Sequence, residues 1–120
     1  MPDIQMGVNE KKFAEIIWQN EPISTVELAR LAQQTLGWKK TTSYTVLKRL
    51  CNKGIFQTEN STVTSLISQK EFYSIQSENF VEDTFGGSLP AFLAAFTARK
   101  QLSSDEIQAL RRMVDEFQED

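Results

Sequence analysis

Two glycines divide the first half of the chain into helical segments. A glycine just past the last apolar position is a common helix stop, because it adopts the left-handed conformation without strain. The spacing predicts a helix over residues 25–36 and a third helix that begins at Thr41 or Thr42. The apolar positions are Val26, Leu28, Leu31, Ala32 and Leu36 before Gly37, and Val46, Leu47 and Leu50 before Gly54.

Capping residues set the start of the first two helices. Asn9 is a good N-cap for an amphipathic helix over residues 10–19, and Pro22 helps to end that helix. The next helix opens with a capping box, in which the Ser24 hydroxyl accepts a bond from a first-turn amide and Glu27 reaches back. Three helices are therefore predicted before Gly54.

Two β-prone runs follow the third helix. Residues 55–58 and 63–67 are rich in β-branched and aromatic side chains, and residues 59–62 between them suit a hairpin turn. Three helices followed by a hairpin are typical of a winged helix-turn-helix domain, in which the third helix enters the major groove of DNA. We predict such a domain over residues 1–70, with the hairpin as its wing.

The charge pattern of the same region indicates a polyanionic partner. From Leu28 to Thr58 the chain carries six basic residues and no Asp or Glu, although the whole chain has 16 acidic and 13 basic residues. A local patch of this kind supports phosphate contacts whatever the net charge. The predicted DNA-binding residues are the basic Lys39, Lys40, Lys48, Arg49 and Lys53, and the polar Thr41, Thr42, Ser43, Tyr44 and Thr45 on the first turns of the third helix.

Simpler interpretations of these residues stay open. Lysines are usually exposed for no special reason, Arg49 beside Leu50 can point at the protein, and Thr42 is also a candidate N-cap. Cys51 is either a half-buried core residue or a redox-sensitive thiol beside basic neighbours. The alternative function is a winged-helix module that binds a protein partner, with DNA binding incidental, and the slightly acidic turn at residues 59–62 favours it.

Composition excludes several other classes of protein. The chain has no histidine and one cysteine, which excludes a Ser-His-Asp triad, a His-ligated or Cys-rich metal site and an intramolecular disulfide. A Gly-rich phosphate loop is also missing. We therefore expect no enzymatic activity, no metal and no cofactor. Because the sequence shows no signal-like segment and no apolar run of about 20 residues, we expect a soluble, cytoplasmic protein.

The second half predicts helices with more apolar surface than they can bury alone. Residues 71–120 carry four basic and ten acidic residues, and a second capping box at Ser103 and Glu106 opens a last helix over about 104–118. A second copy is the economical partner for such a surface. We predict a helical dimerisation domain over residues 71–120, with Phe80, Phe85, Leu89, Phe92, Leu93, Phe96, Ile107, Leu110, Met113, Val114 and Phe117 at the interface.

Motifs in both halves resemble one family of regulators, the penicillinase-repressor family of the BlaI/MecI/CopY type, over about residues 8–118. The resemblance implies a mostly α-helical homodimer, with a winged helix-turn-helix and a helical dimerisation domain, that sits on palindromic operator DNA and blocks transcription. The motifs are Ile17-Trp18, Trp38-Lys39-Lys40-Thr41-Thr42 leading into Val46-Leu47-Lys48-Arg49-Leu50-Cys51-Asn52-Lys53-Gly54, then Phe85-Gly86-Gly87 and residues 101–110.

The resemblance also bears on how repression ends. In the antibiotic-resistance branch, a cascade started by a membrane-embedded zinc metalloprotease cuts the repressor between Asn and Phe in a Leu-Asn-Phe run. The corresponding run here is Ala94-Ala95-Phe96, so Ala95 and Phe96 flank the matching bond and the Asn is replaced. The Cys-x-Cys motifs of the copper-responsive branch are missing. A regulatory protease is thus the one further partner implied, and the inducing signal is open.

Overall fold

The computed structural model describes residues 4–117, so the predicted last helical residue, 118, lies outside the described residues. The chain forms two compact units, the first ending at Ser77 and the second beginning at Glu78. The predicted boundary was seven residues earlier, after residue 70. It moves because Phe72 is fully buried in the core of the first unit.

Within the described residues, the fold consists of six helices and one small sheet. Its three strands are antiparallel, in the order β1-β3-β2. This is the mostly α-helical winged-helix fold that the sequence predicts. The elements are α1 (Val8–Asn20), β1 (Ile23–Ser24), α2 (Thr25–Leu36), α3 (Lys40–Asn52), β2 (Phe56–Glu59), β3 (Thr62–Ser65), α4 (Gln69–Phe85), α5 (Leu89–Thr97) and α6 (Ser104–Glu116).

The helix starts differ from prediction where a cap was misassigned. Helix α1 begins at Val8, two residues early, because Gly7 is the N-cap and its N–H donates to Glu10 Oε1 at 3.2 Å. Such a bond satisfies one of the amides that lack a partner in the first turn. Helix α3 begins at Lys40 with Lys39 at the N-cap and no side-chain cap. Neither Asn9 nor a threonine therefore caps these helices.

Helix α2 has the predicted bounds but only half of its predicted capping box. The Ser24 Oγ accepts a bond from the Glu27 N–H at 3.1 Å. The Glu27 carboxylate pairs with Arg30 instead of returning to the backbone of Ser24. Gly37, at φ +70°, ends the helix as predicted.

The predicted hairpin is present with a tighter turn. Because Glu59 pairs with Thr62, only Asn60 and Ser61 form the turn, and their φ angles are 52° and 61°. Positive φ at both central residues is the type I′ geometry, whose twist suits a two-residue hairpin. Strand β1 pairs with β3 and was not predicted, because two residues carry no periodicity of their own.

Trp18 connects three elements of the first unit. Its ring packs against Phe56 of β2 and Phe72 of α4, with ring centroids 5.3 and 5.2 Å apart. Its indole N–H donates to the Ile67 carbonyl at 3.0 Å. The side chain therefore holds the hairpin and the first turn of α4 against α1.

The second unit has no comparable core. Among the described residues 78–117, none is buried. Four phenylalanines of α4 and α5, Phe80, Phe85, Phe92 and Phe96, contact one another at centroid distances of 5.6 to 6.1 Å. The predicted capping box of α6 is complete, because Ser103 and Glu106 each bond the backbone N–H of the other.

The indole bond of Trp18 yields a test of the core. We expect Trp18→Phe to lower the free energy of unfolding by about 1–2 kcal/mol more than Trp38→Phe, because it leaves the Ile67 carbonyl without its donor. Trp38 is a matched control, since it stacks on Phe13 at 5.1 Å through its ring alone. Urea denaturation of both variants measures the difference, and equal losses would contradict the assigned role.

Candidate nucleic-acid interface

Helix α3 buries one stripe of side chains and exposes the opposite one. Val46, Leu47 and Leu50 are buried in the core. Residues three and four apart lie on the same face of a helix, so the burial of these three determines what faces outward. The exposed stripe consists of Thr41, Tyr44, Thr45, Lys48 and Asn52, with Lys40 at its start.

Three lysines at this helix make no ion pair with the described part of the chain. Within residues 4–117, no acidic group lies within ion-pair distance of Lys39, Lys40 or Lys48. The first-turn amides of α3 are also uncapped by any side chain. Open amides and free ammonium groups together form a favourable surface for phosphate oxygens.

Arg30 contributes little to this positive surface. Its guanidinium makes a two-bond contact with the Glu27 carboxylate, with Nε 2.9 Å from Oε2. The hydrogen bond from Arg30 holds the pKa of Glu27 below its ordinary value, and the same bond raises the pKa of Arg30. Glu27 lies one residue before the acid-free stretch that begins at Leu28. The count of six basic residues in that stretch therefore overestimates the positive charge that is not paired.

Two further predicted basic residues are held by the protein. Arg49 Nη1 lies 3.4 Å from Glu10 Oε2, although the arginine side chain remains 52% exposed. Lys53 Nζ donates to the Gln5 carbonyl. Sequence reasoning missed Glu10, because no local pattern connects α1 with the end of α3.

Among the hydroxyl-bearing residues of α3, three threonines contribute to a surface groove. Thr41, Thr42 and Thr45 line a shallow groove together with Arg49. Thr45 Oγ1 donates to the Thr41 carbonyl at 2.9 Å. This bond uses the proton of the Thr45 hydroxyl and leaves its lone pairs as acceptors.

Ser43 was wrongly predicted to belong to the contact surface. It is 1% exposed, and its Oγ has no hydrogen-bond partner among residues 4–117. Ser43 precedes Val46 and Leu47 by three and four residues, so helical spacing places it on the buried stripe. That spacing was the signal that could have excluded it.

The wing offers polar groups and an acid. The exposed residues of the hairpin are Gln57, Thr58, Glu59, Asn60 and Ser61. The Ser61 carbonyl accepts a bond from the Thr25 N–H at 2.9 Å, which ties the turn to the start of α2. Contacts from this hairpin to an anion would therefore be neutral hydrogen bonds.

Residues with other predicted roles are also placed by the structure. Cys51 is partly buried, with its Sγ 3.6 Å from Thr58 Oγ1. No group of three or more potential metal-ligating side chains occurs in the described part of the chain. None of the helices over residues 4–117 is both long and apolar enough to cross a membrane.

The predicted dimerisation residues remain partly or largely open to solvent. The most exposed are at the end of α6, where Met113, Val114 and the C-cap residue Phe117 are 66, 71 and 80% exposed. Phe92, Leu93, Phe96, Leu102, Ala109 and Leu110 line an apolar groove between α5 and α6. The second unit therefore presents apolar surface both as a groove and as a helix face.

The Ala95–Phe96 bond, which the sequence resemblance marks as a possible proteolysis site, lies inside α5. Both side chains are exposed, and the carbonyls of Ala94 and Phe96 accept backbone bonds from Ala98 and Lys100 at 3.2 Å. Proteolysis concentrates at exposed loop tips and poorly ordered segments. A protease would therefore have to open this helix before cutting.

Three helices, a hairpin and an exposed basic face on the third helix define a winged helix-turn-helix protein. The family model described as penicillinase repressor matches residues 6–116, and the chain belongs to that family. The resemblance found in the sequence is thereby confirmed.

Known relatives cover nearly the whole chain. The penicillinase repressor of Bacillus licheniformis is 26% identical over 116 residues, which cover 93% of this chain and 91% of that protein. The methicillin resistance regulatory protein MecI of Staphylococcus aureus is 26% identical over 109 residues, or 88% of this chain and 89% of that protein. The protein of the same name from Mammaliicoccus sciuri is 25% identical over the same shares. These relatives are named as repressors and regulators, not as enzymes.

The difference between free and engaged lysines is directly testable. We expect a limiting amount of an amine-reactive ester to modify Lys39, Lys40 and Lys48 faster than Lys53, whose ammonium group is hydrogen-bonded to the Gln5 carbonyl. Peptide mass spectrometry measures the four rates, and the exposed Lys70 on α4 is the reference. Modification of Lys53 at the rate of Lys70 would contradict the placement.

Proposed function

We propose that the chain is a DNA-binding repressor of transcription that acts as a homodimer on a palindromic operator in the bacterial cytoplasm. The observation that carries the proposal is the row of lysines that make no ion pair within residues 4–117, at a helix whose opposite face is buried. A helix that is anchored in a core and basic on its outer face is suited to the major groove. Membership of a repressor family supports the same function.

On the exposed face of α3, different residues are suited to positioning the helix on DNA and to reading the base sequence. Lys39, Lys40 and Lys48 are suited to phosphates, which fix orientation without reading sequence. Tyr44 and the threonines are suited to base edges, because a hydroxyl offers both donor and acceptor and a threonine methyl can contact the methyl of thymine. The base-reading candidates are Thr41, Thr42, Tyr44 and Thr45, and Ser43 is withdrawn because it is buried.

We also propose that the second unit, within the predicted domain of residues 71–120, holds two copies together. A unit with no buried side chain over its described residues 78–117 gains a core only by covering its apolar face. An isologous dimer covers the same face on both copies. Such a dimer places two α3 helices on half-sites about 10 bp apart, centre to centre, or a multiple of that distance.

A winged-helix module that binds a protein partner is the second candidate. The observation that favours it is the wing, whose exposed residues include Glu59 and no basic residue. On that interpretation, replacing Lys39, Lys40 and Lys48 together by alanine would leave the physiological interaction intact. The same triple substitution should abolish operator binding by a repressor.

Relief of repression by a regulatory protease would act on the dimerisation unit at Ala95–Phe96. Cleavage there would separate α6, with the last two residues of α5, from the rest of α5 and so remove part of the apolar surface that would join two copies. Because the bond lies within α5, the rate of cutting would depend on local opening of that helix.

DNA binding is tested by fluorescence anisotropy at several salt concentrations, on the chain's own promoter region and on a scrambled duplex. We expect a preference of about 10³ or more for the promoter. If each subunit neutralises three to five phosphates, log K should fall with log salt at a slope between about −5 and −9 for the dimer.

The control variants separate free from neutralised charge. Lys40→Ala combined with Lys48→Ala should weaken binding to both duplexes and make the slope less negative, whereas Arg30→Ala combined with Glu27→Gln should change it little, because the Arg30–Glu27 ion pair carries no net charge. Equal, weak binding of the wild type to both duplexes would refute operator recognition and favour a protein partner.

Dimerisation is tested by placing a charge on the exposed face of α6. We expect Val114→Glu to weaken self-association by about 100-fold or more, because an unpaired carboxylate would be buried between two copies. Gln108→Glu adds the same charge to the polar face of the helix and should leave the dimer intact. Sedimentation equilibrium measures both, and a monomeric wild type at micromolar concentration would overturn the dimer.

A further inference from the structure

Glu10 carries a buried carboxylate oxygen that none of the predicted roles explains. Its Oε1 accepts the bond from the Gly7 N–H, but its Oε2 is buried and has no hydrogen-bond partner among residues 4–117. Among the described residues, the cation that pairs with this oxygen is Arg49, with Nη1 at 3.4 Å. The Glu10 side chain is only 20% exposed, and a carboxylate with a buried oxygen is disfavoured without a counter-charge, so the arginine and the glutamate hold each other in place.

The contact with Glu10 uses only part of the hydrogen-bonding capacity of the Arg49 guanidinium. A distance of 3.4 Å exceeds the roughly 2.7–2.9 Å of a charge-assisted hydrogen bond. A guanidinium carries five N–H donors in a planar fork, and no hydrogen bond from Arg49 to the described residues accompanies the ion pair. Because the side chain is 52% exposed, donors remain for an acceptor from outside.

The position of Arg49 on α3 indicates the kind of acceptor. Arg49 borders the groove of Thr41, Thr42 and Thr45, and it lies on the flank of the exposed stripe, one residue before the buried Leu50. When a helix lies in the major groove, its central stripe meets the bases and its flanks meet the sugar-phosphate walls. The two free oxygens of a phosphodiester match a guanidinium fork.

We infer that Glu10 is a positioning residue that presents the Arg49 guanidinium to a phosphate of the DNA backbone. The inference rests on the proposed function and extends it to a side chain on α1 that makes no DNA contact itself. Glu10 fixes one edge of the guanidinium through its buried oxygen, and the other edge binds the phosphate. Arg49 therefore reaches the backbone with little loss of side-chain entropy on binding.

A competing role for Glu10 is simple neutralisation of Arg49, which would weaken DNA binding rather than support it. The two roles predict opposite effects of Glu10→Gln. This substitution removes the charge but keeps an amide oxygen for the Gly7 N–H. Glu15→Gln on the same helix is the matched control, because it removes one charge from a side chain without an ion pair within residues 4–117.

The experiment is a double-mutant cycle of Glu10→Gln and Arg49→Lys, read by anisotropy on the promoter duplex and on the scrambled duplex. Arg49→Lys keeps a cation beside Glu10 but removes the fork. We expect Glu10→Gln to weaken binding about tenfold on both duplexes, because the lost contact is a charge-assisted bond to phosphate. The slope of log K against log salt should become less negative by about 2 for the dimer. Each subunit loses one phosphate contact, and each contact contributes about 0.9 to the slope.

The cycle and the control decide between the roles. Positioning predicts that Glu10→Gln has almost no further effect in the R49K background, and that E15Q binds as well as the wild type or slightly better. Tighter binding by E10Q, or an equal loss in both backgrounds with an unchanged slope, would overturn the inference. Thermal unfolding of each variant shows that the folded state persists at the assay temperature.

Failure of the inference and failure of the proposed function are distinguishable. The preference of the wild type for the promoter duplex tests the repressor function alone. Coupling between Glu10 and Arg49 on the scrambled duplex tests the positioning role alone, because phosphate contacts do not depend on sequence.

Discussion

The burial of one stripe of α3 determines which side chains of this helix can meet another molecule. Val46, Leu47 and Leu50 pack into the core, and the fully buried Ser43 lies on the same stripe. Because a helix rotated by one residue would expose aliphatic groups and bury lysine, the rotation of α3 about its axis is strongly constrained. The outward direction of Lys48 therefore follows from the packing of its apolar neighbours, not from any contact of its own.

Local patterns were sufficient to predict most of the first unit. The bounds of α2, the stop at Gly37 and the existence of the hairpin followed from periodicity and turn chemistry, which act over a few residues. The same patterns failed where two local signals competed. Asn9 is an ordinary N-cap in isolation, but Gly7 takes that position because Glu10 lies three residues after it and bonds its N–H.

The electrostatics of the candidate site could be predicted only in part. The pairing of Arg30 with Glu27 is local and could have been read from the i, i+3 spacing. The contacts of Arg49 with Glu10 and of Lys53 with Gln5 join segments 39 and 48 residues apart, and no sequence pattern specifies them. Of the six basic residues in the acid-free stretch, three lysines have neither an ion pair nor a side-chain hydrogen bond within residues 4–117, Lys53 is hydrogen-bonded to a carbonyl, and Arg49 stays half exposed. The charge available to DNA is set by tertiary packing as much as by composition.

The scarcity of free charge on one subunit is a physical argument for the proposed dimer. Three lysines and one arginine per subunit give a modest phosphate attraction that physiological salt weakens further. The chain as a whole has a net charge of −3, so its long-range field does not favour DNA. When two such subunits are joined, the second binds its half-site at a high effective concentration, and the affinity rises without new contacts. In the proposed dimer, weak attraction per subunit would be an advantage, because isolated phosphates would hold the protein poorly and only a correctly spaced pair of half-sites would engage both α3 helices at once.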